Sequence, residues 1–165
     1  MELYLIRHAD AAPLGEGGIT ADEDRPLTDK GREQLKALAS GLKRFGVILD
    51  TIMTSPLVRA KQTAEGVLEN WGSPAPSLHM VDELAPQGNR RKLAKELRRH
   101  GEGSIALVGH EPDLSQFAGW LIGSRKSRLE LAKGGVAHVH FDNGVGKAEG
   151  VLKWLALPEW LNADK

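Results

Sequence analysis

Two side chains that could handle a phosphate group stand where the first apolar segment of the chain ends. Residues 3–6 are apolar or aromatic, and Arg7 and His8 follow them directly. An arginine offers a planar, permanently charged fork to phosphate oxygens. A histidine is a nucleophile that needs little activation near neutral pH. The pair indicates phosphoryl chemistry if other parts of the chain supply partners.

Two later junctions carry side chains of the same kind. Arg59 follows Ser55-Pro56 after an apolar segment, and His110 follows the apolar residues 104–108. The carboxyl ends of parallel strands meet at one edge of a sheet, so we expect these residues to converge with Arg7 and His8 on one anion. Helix N-terminal amides would assist them. Fixed positive donors are what a phosphoryl group in transfer requires.

The elements that must hold these residues follow from the hydrophobic periodicity. Strand-like segments alternate with helical ones as far as about residue 122, and two closing strands, 136–141 and 151–156, flank an Asn143-Gly144 turn. The pattern predicts a single three-layer α/β/α domain over residues 1–165 with a largely parallel central sheet. Ser55 is predicted to cap a helix that has Pro56 at its first position.

The composition excludes several classes of protein. The 165 residues contain 22 basic and 22 acidic side chains, and this balance argues against a nucleic-acid or membrane-surface partner. Because cysteine is absent, disulfides, thiol catalysis and cysteine-metal sites are excluded. We see no signal peptide and no apolar run long enough to span a membrane, so we expect a cytoplasmic protein.

An ordered set of motifs gives a more specific indication. Arg7-His8-Ala9, Pro26-Leu27-Thr28 with Gly31, Ser55-Pro56 with Arg59-Ala60 and Gln62-Thr63-Ala64, and Gly109-His110 succeed one another along the chain. In this order and spacing they resemble the histidine phosphatase superfamily, and most of all its short SixA-like phosphohistidine phosphatase branch. The resemblance extends from residue 2 to about residue 120.

The resemblance implies a role for each matching residue. His8 would accept the phosphoryl group as a phosphohistidine, while Arg7, Arg59 and His110 would bind its oxygens and the backbone amide of Glu111 would assist. No metal or cofactor is implied, because the two arginines and His110 supply the positive charge. The chain departs from the commonest family pattern at Ala9, where glycine is usual. Because the short phosphohistidine phosphatases that the chain resembles include such variants, we do not expect Ala9 to abolish activity.

A second departure concerns the general acid and the covering lid. Larger family members carry a glutamate in a helical insert over the site, whereas here only a short segment separates Glu83 from His110. We expect no lid domain, and we take Glu83 as the candidate acid with Asp10 as the alternative. The sequence does not decide whether the loop at residues 14–21 closes over substrate.

An open site favours phosphohistidine on a protein partner as the substrate, since a protonated P–N bond breaks readily. The alternatives are a phosphatase for small phosphate esters and an inactive phosphoprotein-binding module. The basic cluster at Arg90-Arg91-Lys92 and Arg98-Arg99 fits a solvated helix face, or a docking face for an acidic protein. The sequence leaves the oligomeric state open.

Overall fold

The computed structural model describes residues 1–124 and 128–162 of the chain. It contains one six-stranded sheet with helices on both faces. The strands are β1 (Glu2–Arg7), β2 (Thr51–Thr54), β3 (Ser77–Met80), β4 (Ser104–Gly109), β5 (Val136–His140) and β6 (Val151–Ala156). The helices are α1 (Asp29–Arg44), α2 (Val58–Glu69), α3 (Arg90–His100), α4 (Asp113–Leu121) and α5 (Pro158–Leu161).

The order of the strands brings the site residues to one edge of the sheet. The order is β3-β2-β4-β1-β5-β6, in which β1 to β4 run parallel and β5 runs antiparallel to both β1 and β6. Arg7 lies opposite Gly109, and Thr54 lies opposite Val108. The next residues of β1, β2 and β4 therefore leave the sheet side by side. The predicted α/β fold with a largely parallel sheet is confirmed.

Helices cover both faces of the sheet, because successive apolar side chains of β1 point to opposite faces and each must be buried. Leu3 and Leu5 contribute to an apolar cluster with α3 and α4, whereas Tyr4 and Ile6 contribute to another with α1 and α2. A strand buried on both faces is continuously apolar, which explains the segment before Arg7. The strand that carries the site is thus fixed from two sides.

Side-chain caps set the starts of two helices. The Thr28 hydroxyl accepts a hydrogen bond from the Gly31 amide at the start of α1, and the Asn89 carboxamide accepts two at the start of α3. These bonds satisfy amide groups that a helix leaves unpaired. Among the described residues, none of the helices is long and apolar enough to cross a bilayer.

The prediction that Ser55 caps α2, with Pro56 in its first turn, is wrong. α2 begins at Val58 after Leu57, and Ser55 accepts only a long hydrogen bond of 3.3 Å from the Leu57 amide. Arg59 nevertheless lies in the first turn of the helix. The Ser55 hydroxyl is instead used within the site, as described below.

The segment between β3 and β4 contains no lid in the part of the chain that the structure describes. It consists of a short 3-10 turn (Asp82–Leu84), a capped turn and α3. Gly88 packs so closely on this turn that a Cβ there would lie 2.0 Å from the Glu83 carbonyl oxygen. The turn that carries Glu83 is therefore joined compactly to the start of α3.

Candidate active site

His8 is held with one ring nitrogen ready for nucleophilic attack. Its side chain is buried just beyond the end of β1, and Nδ1 lies 2.7 Å from the Ala9 carbonyl oxygen. Because a carbonyl only accepts, the Nδ1–H donates and the lone pair resides on Nε2. The Ala9 amide in turn donates to the Thr63 hydroxyl of α2 at 3.1 Å. The hydrogen bonds thus fix both the tautomer and the local backbone.

Arg59 approaches that same ring nitrogen from α2. Its Nε–H donates to His8 Nε2 at 3.2 Å, and its side chain is only 5% exposed. Its two remaining nitrogens contact Asp22: Nη1 donates to the Asp22 carbonyl oxygen at 2.6 Å, and Nη2 to the carboxylate at 2.9 Å. The predicted convergence of Arg59 on His8 is present in the structure.

Asp22 is a site residue that the sequence analysis missed. It lies in a 3-10 turn (Asp22–Asp24) and its other carboxylate oxygen accepts a hydrogen bond from Arg25 at 2.9 Å. Arg25 first, and then Arg59, holds the pKa of this carboxyl below its usual value. The loop at residues 10–26 therefore reaches the site through Asp22. A run of three acidic residues before Arg25-Pro26 was visible, but nothing in its spacing indicates a contact with Arg59.

His110 faces His8 from the end of β4. The two ring centroids are 5.2 Å apart, and His110 is 3% exposed. Nε2 of His110 lies 2.8 Å from the Ser55 hydroxyl, whereas the buried Nδ1 has no hydrogen-bond partner among the described residues. With Ser55 as the donor, the proton of a neutral ring resides on Nδ1. His110 then keeps one unpaired donor within the site.

Arg7 is anchored by a segment that the sequence analysis did not assign to the site. Its Nη1 donates to the Leu131 carbonyl oxygen at 2.8 Å, and its buried Nε has no partner among the described residues. The Gly134 amide lies 3.1 Å from the Arg7 carbonyl oxygen and 3.2 Å from that of His8. The turn before β5 thus holds the end of β1 in place.

Burial and nearby cations keep both histidines neutral. Removal from water, and then the charges of Arg59 and Arg7, lower the pKa of His8 to about 4. Burial and Arg59 lower the pKa of His110 to about 3. A neutral His8 presents a lone pair at pH 7 instead of a proton. The electrostatics of the site therefore favour nucleophilic attack by this residue.

The two candidate acids differ in their surroundings. The Asp10 carboxylate is 2.7 Å from Lys133 Nζ and accepts from the Thr28 hydroxyl at 2.8 Å. The hydrogen bond from Lys133 above all holds the Asp10 pKa below its usual value, so this carboxyl is ionised and a poor proton donor. Glu83 lines a cavity of about 760 Å³ together with His110. These surroundings favour Glu83 as the acid.

Glu111 follows His110 but is not among the residues that line that cavity. The side chain accepts from the Ser115 hydroxyl at 2.6 Å and lines a second cavity of about 690 Å³. Burial raises the pKa of this carboxyl. The assignment of the Glu111 backbone amide to phosphate binding stays a prediction.

Comparison with known proteins identifies the family. The model of the histidine phosphatase superfamily (branch 1) matches residues 3–86. An uncharacterized protein of Picosynechococcus sp. is 34% identical over 98% of this chain and 99% of its own. Phosphohistidine phosphatase SixA of Escherichia coli is 30% identical over 68% of each chain. The structure of protein histidine phosphatase SixA complexed with tungstate superposes with a TM-score of 0.84 at 25% identity, covering 98% of this chain and 100% of that one. The chain therefore belongs to the histidine phosphatase superfamily, branch 1.

Proposed function

We propose that this phosphatase removes the phosphoryl group from phosphohistidine on a protein partner, with His8 as the nucleophile. The observation that carries the proposal is the 3.2 Å contact between Arg59 Nε and His8 Nε2. It places a buried cation at the atom to which a phosphoryl group would become attached. The His110 ring lies 5.2 Å from that of His8, the charge of Arg7 acts on His8, and Arg7 and His110 each have a buried nitrogen without a partner among the described residues.

In the first step, His8 Nε2 attacks phosphorus and the bond from phosphorus to the substrate nitrogen breaks. The Arg59 Nε–H, which contacts Nε2 in the ligand-free protein, transfers its hydrogen bond to a phosphate oxygen as substrate enters. Arg7 and His110 Nδ1–H bind further oxygens, where negative charge spreads in the transition state. Glu83 donates its proton to the leaving nitrogen, so the partner departs with a neutral imidazole.

In the second step, water attacks phosphorus and the bond from phosphorus to Nε2 breaks. The Glu83 carboxylate accepts a proton from this water, which restores the acid for the next turnover. Inorganic phosphate leaves, and the lone pair returns to His8 Nε2. The hydrogen bond from Nδ1 to the Ala9 carbonyl keeps the ring in one orientation throughout.

Two observations support a protein-bound substrate. The described segment between β3 and β4 contains no inserted lid, and the cavity of about 760 Å³ beside His110 is much larger than a phosphate group. Relatives similar over most of this chain carry the name phosphohistidine phosphatase or protein histidine phosphatase. A cavity of this size admits a side chain that remains attached to a folded protein.

The test is a rapid-quench experiment with a ³²P-phosphohistidine protein. We expect acid-labile label on His8 in the first turnover, and we expect His8→Ala to release no phosphate. The matched control is His79→Ala, which removes an exposed histidine on β3 that does not line the cavity beside His110. Label at another residue, or full activity of His8→Ala, would contradict the nucleophile assignment.

A parallel assay with p-nitrophenyl phosphate distinguishes the alternatives. Efficient hydrolysis of this ester together with no activity on phosphohistidine proteins would indicate a phosphatase for small esters. Tight phosphate binding without turnover of either substrate would indicate a binding module. We expect a higher kcat/KM for the phosphohistidine protein, because its protonated nitrogen is the better leaving group.

A further inference from the structure

The cavity beside His110 continues along the surface into the cavity that contains Glu111. The two spaces, about 760 and 690 Å³, have four lining residues in common: Arg90, Arg91, Pro112 and Gln116. The first space contains the proposed acid, and the second extends past Trp120. A polypeptide that leaves the catalytic centre in this direction therefore passes Arg90 and Arg91.

The guanidinium groups of Arg90 and Arg91 have no hydrogen bond or ion pair with any described residue. Both side chains are exposed at the start of α3. Further along the same helix, Arg98 donates to the Val145 carbonyl oxygen at 2.8 Å, and Arg99 pairs with Glu96 at 2.9 Å. The two arginines on the rim of the cavity are thus the ones available to a ligand.

The backbone at the start of α3, which carries this pair, is fixed by its surroundings. The Asn89 side chain accepts hydrogen bonds from the Arg91 and Lys92 amides at 3.0 and 3.1 Å. The Gln87 amide donates to Asp113 at the start of α4 at 3.0 Å. The close approach of Gly88 joins the same segment to the turn that carries Glu83. The backbone that carries the two arginines is therefore held beside the turn that carries Glu83.

The charge along the second cavity favours an anionic ligand. Arg90, Arg91 and Lys147 line it together with one acid, Glu111. Burial raises the Glu111 pKa, and its carboxylate already accepts a hydrogen bond from Ser115. A planar guanidinium fork matches a carboxylate in two-point contact.

We propose that Arg90 and Arg91 bind carboxylates that flank the phosphorylated histidine of an acidic protein substrate. The inference rests on the proposed function and adds a substrate class to it: the phosphohistidine occupies the cavity beside His110, and its acidic neighbours contact the two arginines. Lys92 and Lys95 lie on the same helix, are exposed and line neither cavity. They provide a matched control for total charge.

The test compares two fluorescent phosphohistidine peptides, one with Asp and Glu on both sides of the phosphohistidine and one with Asn and Gln in their place. Binding is measured by anisotropy on the His8→Ala protein, which does not consume the peptide. We expect the acidic peptide to bind about fivefold more tightly, since each exposed ion pair contributes modestly. Adding R90A and R91A should abolish the preference, whereas adding K92A and K95A should preserve it. High salt should reduce it.

Equal binding of the two peptides to the His8→Ala protein, or a preference that survives loss of both arginines, would overturn the inference. If the arginines increase the affinity for a small bisphosphate but not for the acidic peptide, the inference is also overturned. The proposed function is tested separately, by phosphate release from either peptide with active enzyme.

Discussion

Replacing Asp22 with asparagine should strengthen phosphate binding, because the Asp22 carboxylate accepts a hydrogen bond from Nη2 of Arg59 and places a negative charge beside it. Nη1 and Nη2 of Arg59 both donate to Asp22, at 2.6 and 2.9 Å. An incoming phosphate must take over these donors, or at least approach a fixed negative charge. Asp22→Asn retains the shape of the side chain and an accepting oxygen but removes the charge.

The size of the effect follows from the exposure of the pair. The Asp22 side chain is 51% exposed and that of Arg59 is 5% exposed, so the ion pair is only partly shielded from water. Pairs of this kind contribute up to about 1 kcal/mol, which corresponds to about a fivefold change in affinity. We therefore expect the inhibition constant of inorganic phosphate to fall about fivefold in Asp22→Asn.

The assay is competitive inhibition of p-nitrophenyl phosphate hydrolysis by inorganic phosphate, measured at constant ionic strength. Asp24→Asn is the matched control, since it makes the same change in the same turn and Asp24 has no side-chain contact with Arg59 among those described. If Asp22→Asn weakens phosphate binding, Asp22 positions Arg59 for the ligand and the displacement argument is refuted. An equal gain in Asp24→Asn would show a general charge effect, which also refutes it.

Three further outcomes are expected. In single-turnover quench experiments, Glu83→Gln should slow phosphorylation of His8 by a phosphohistidine protein by about 100-fold and change phosphorylation by p-nitrophenyl phosphate little, because nitrophenolate leaves without a proton; equal losses in this first step would contradict the acid role. Gly31→Ala should lower the free energy of unfolding by about 2 kcal/mol in urea titrations, because the added Cβ would lie 2.0 Å from the Asp10 carbonyl oxygen. An unchanged free energy of unfolding would show that the backbone accommodates the methyl group without cost. In NMR titrations of the ligand-free protein, His8 and His110 should stay neutral until the pH falls towards about 4 and about 3. The pKa of each histidine in the folded protein lies below the ordinary value of 6.5, so the unfolded chain binds protons first as the pH falls. The free energy of unfolding should therefore decline below pH 6.5. Titration midpoints near 6.5 in the NMR experiment would contradict the assigned burial.

The parts of the site that sequence reasoning reached share one property. Arg7 and His8 lie at the end of β1, His110 follows β4, and Arg59 lies in the first turn of the helix after β2. The shared edge of parallel strands brings these residues together without knowledge of any loop. The prediction therefore needed only the order and type of the strands. Glu83 likewise lies within a short connection, which leaves it few positions other than the cavity beside His110.

The parts that sequence reasoning missed depend on irregular backbone. Asp22 reaches Arg59 through a loop with no periodic pattern, and Leu131 contributes a carbonyl oxygen, which no side-chain pattern reveals. The misplaced helix start at Ser55 had a related cause. A Ser-Pro pair fits a cap by propensity alone, but the His110 ring nearby engages the hydroxyl.

The anchoring of β1 between distant parts of the chain also governs how the protein folds. His8 donates its backbone N–H to Gly109 at 3.0 Å, and the Arg7 amide donates to Gly135 at 3.2 Å. Both partners come about a hundred residues or more later in the chain. The hydrogen bonds that fix the end of β1 therefore form only when these distant segments are in place. Such non-local pairings give slow folding, and a partly folded chain exposes the apolar edges of β1. Recovery of phosphatase activity should accordingly lag behind recovery of helix content in refolding, which makes catalysis a reporter of the final assembly of the sheet.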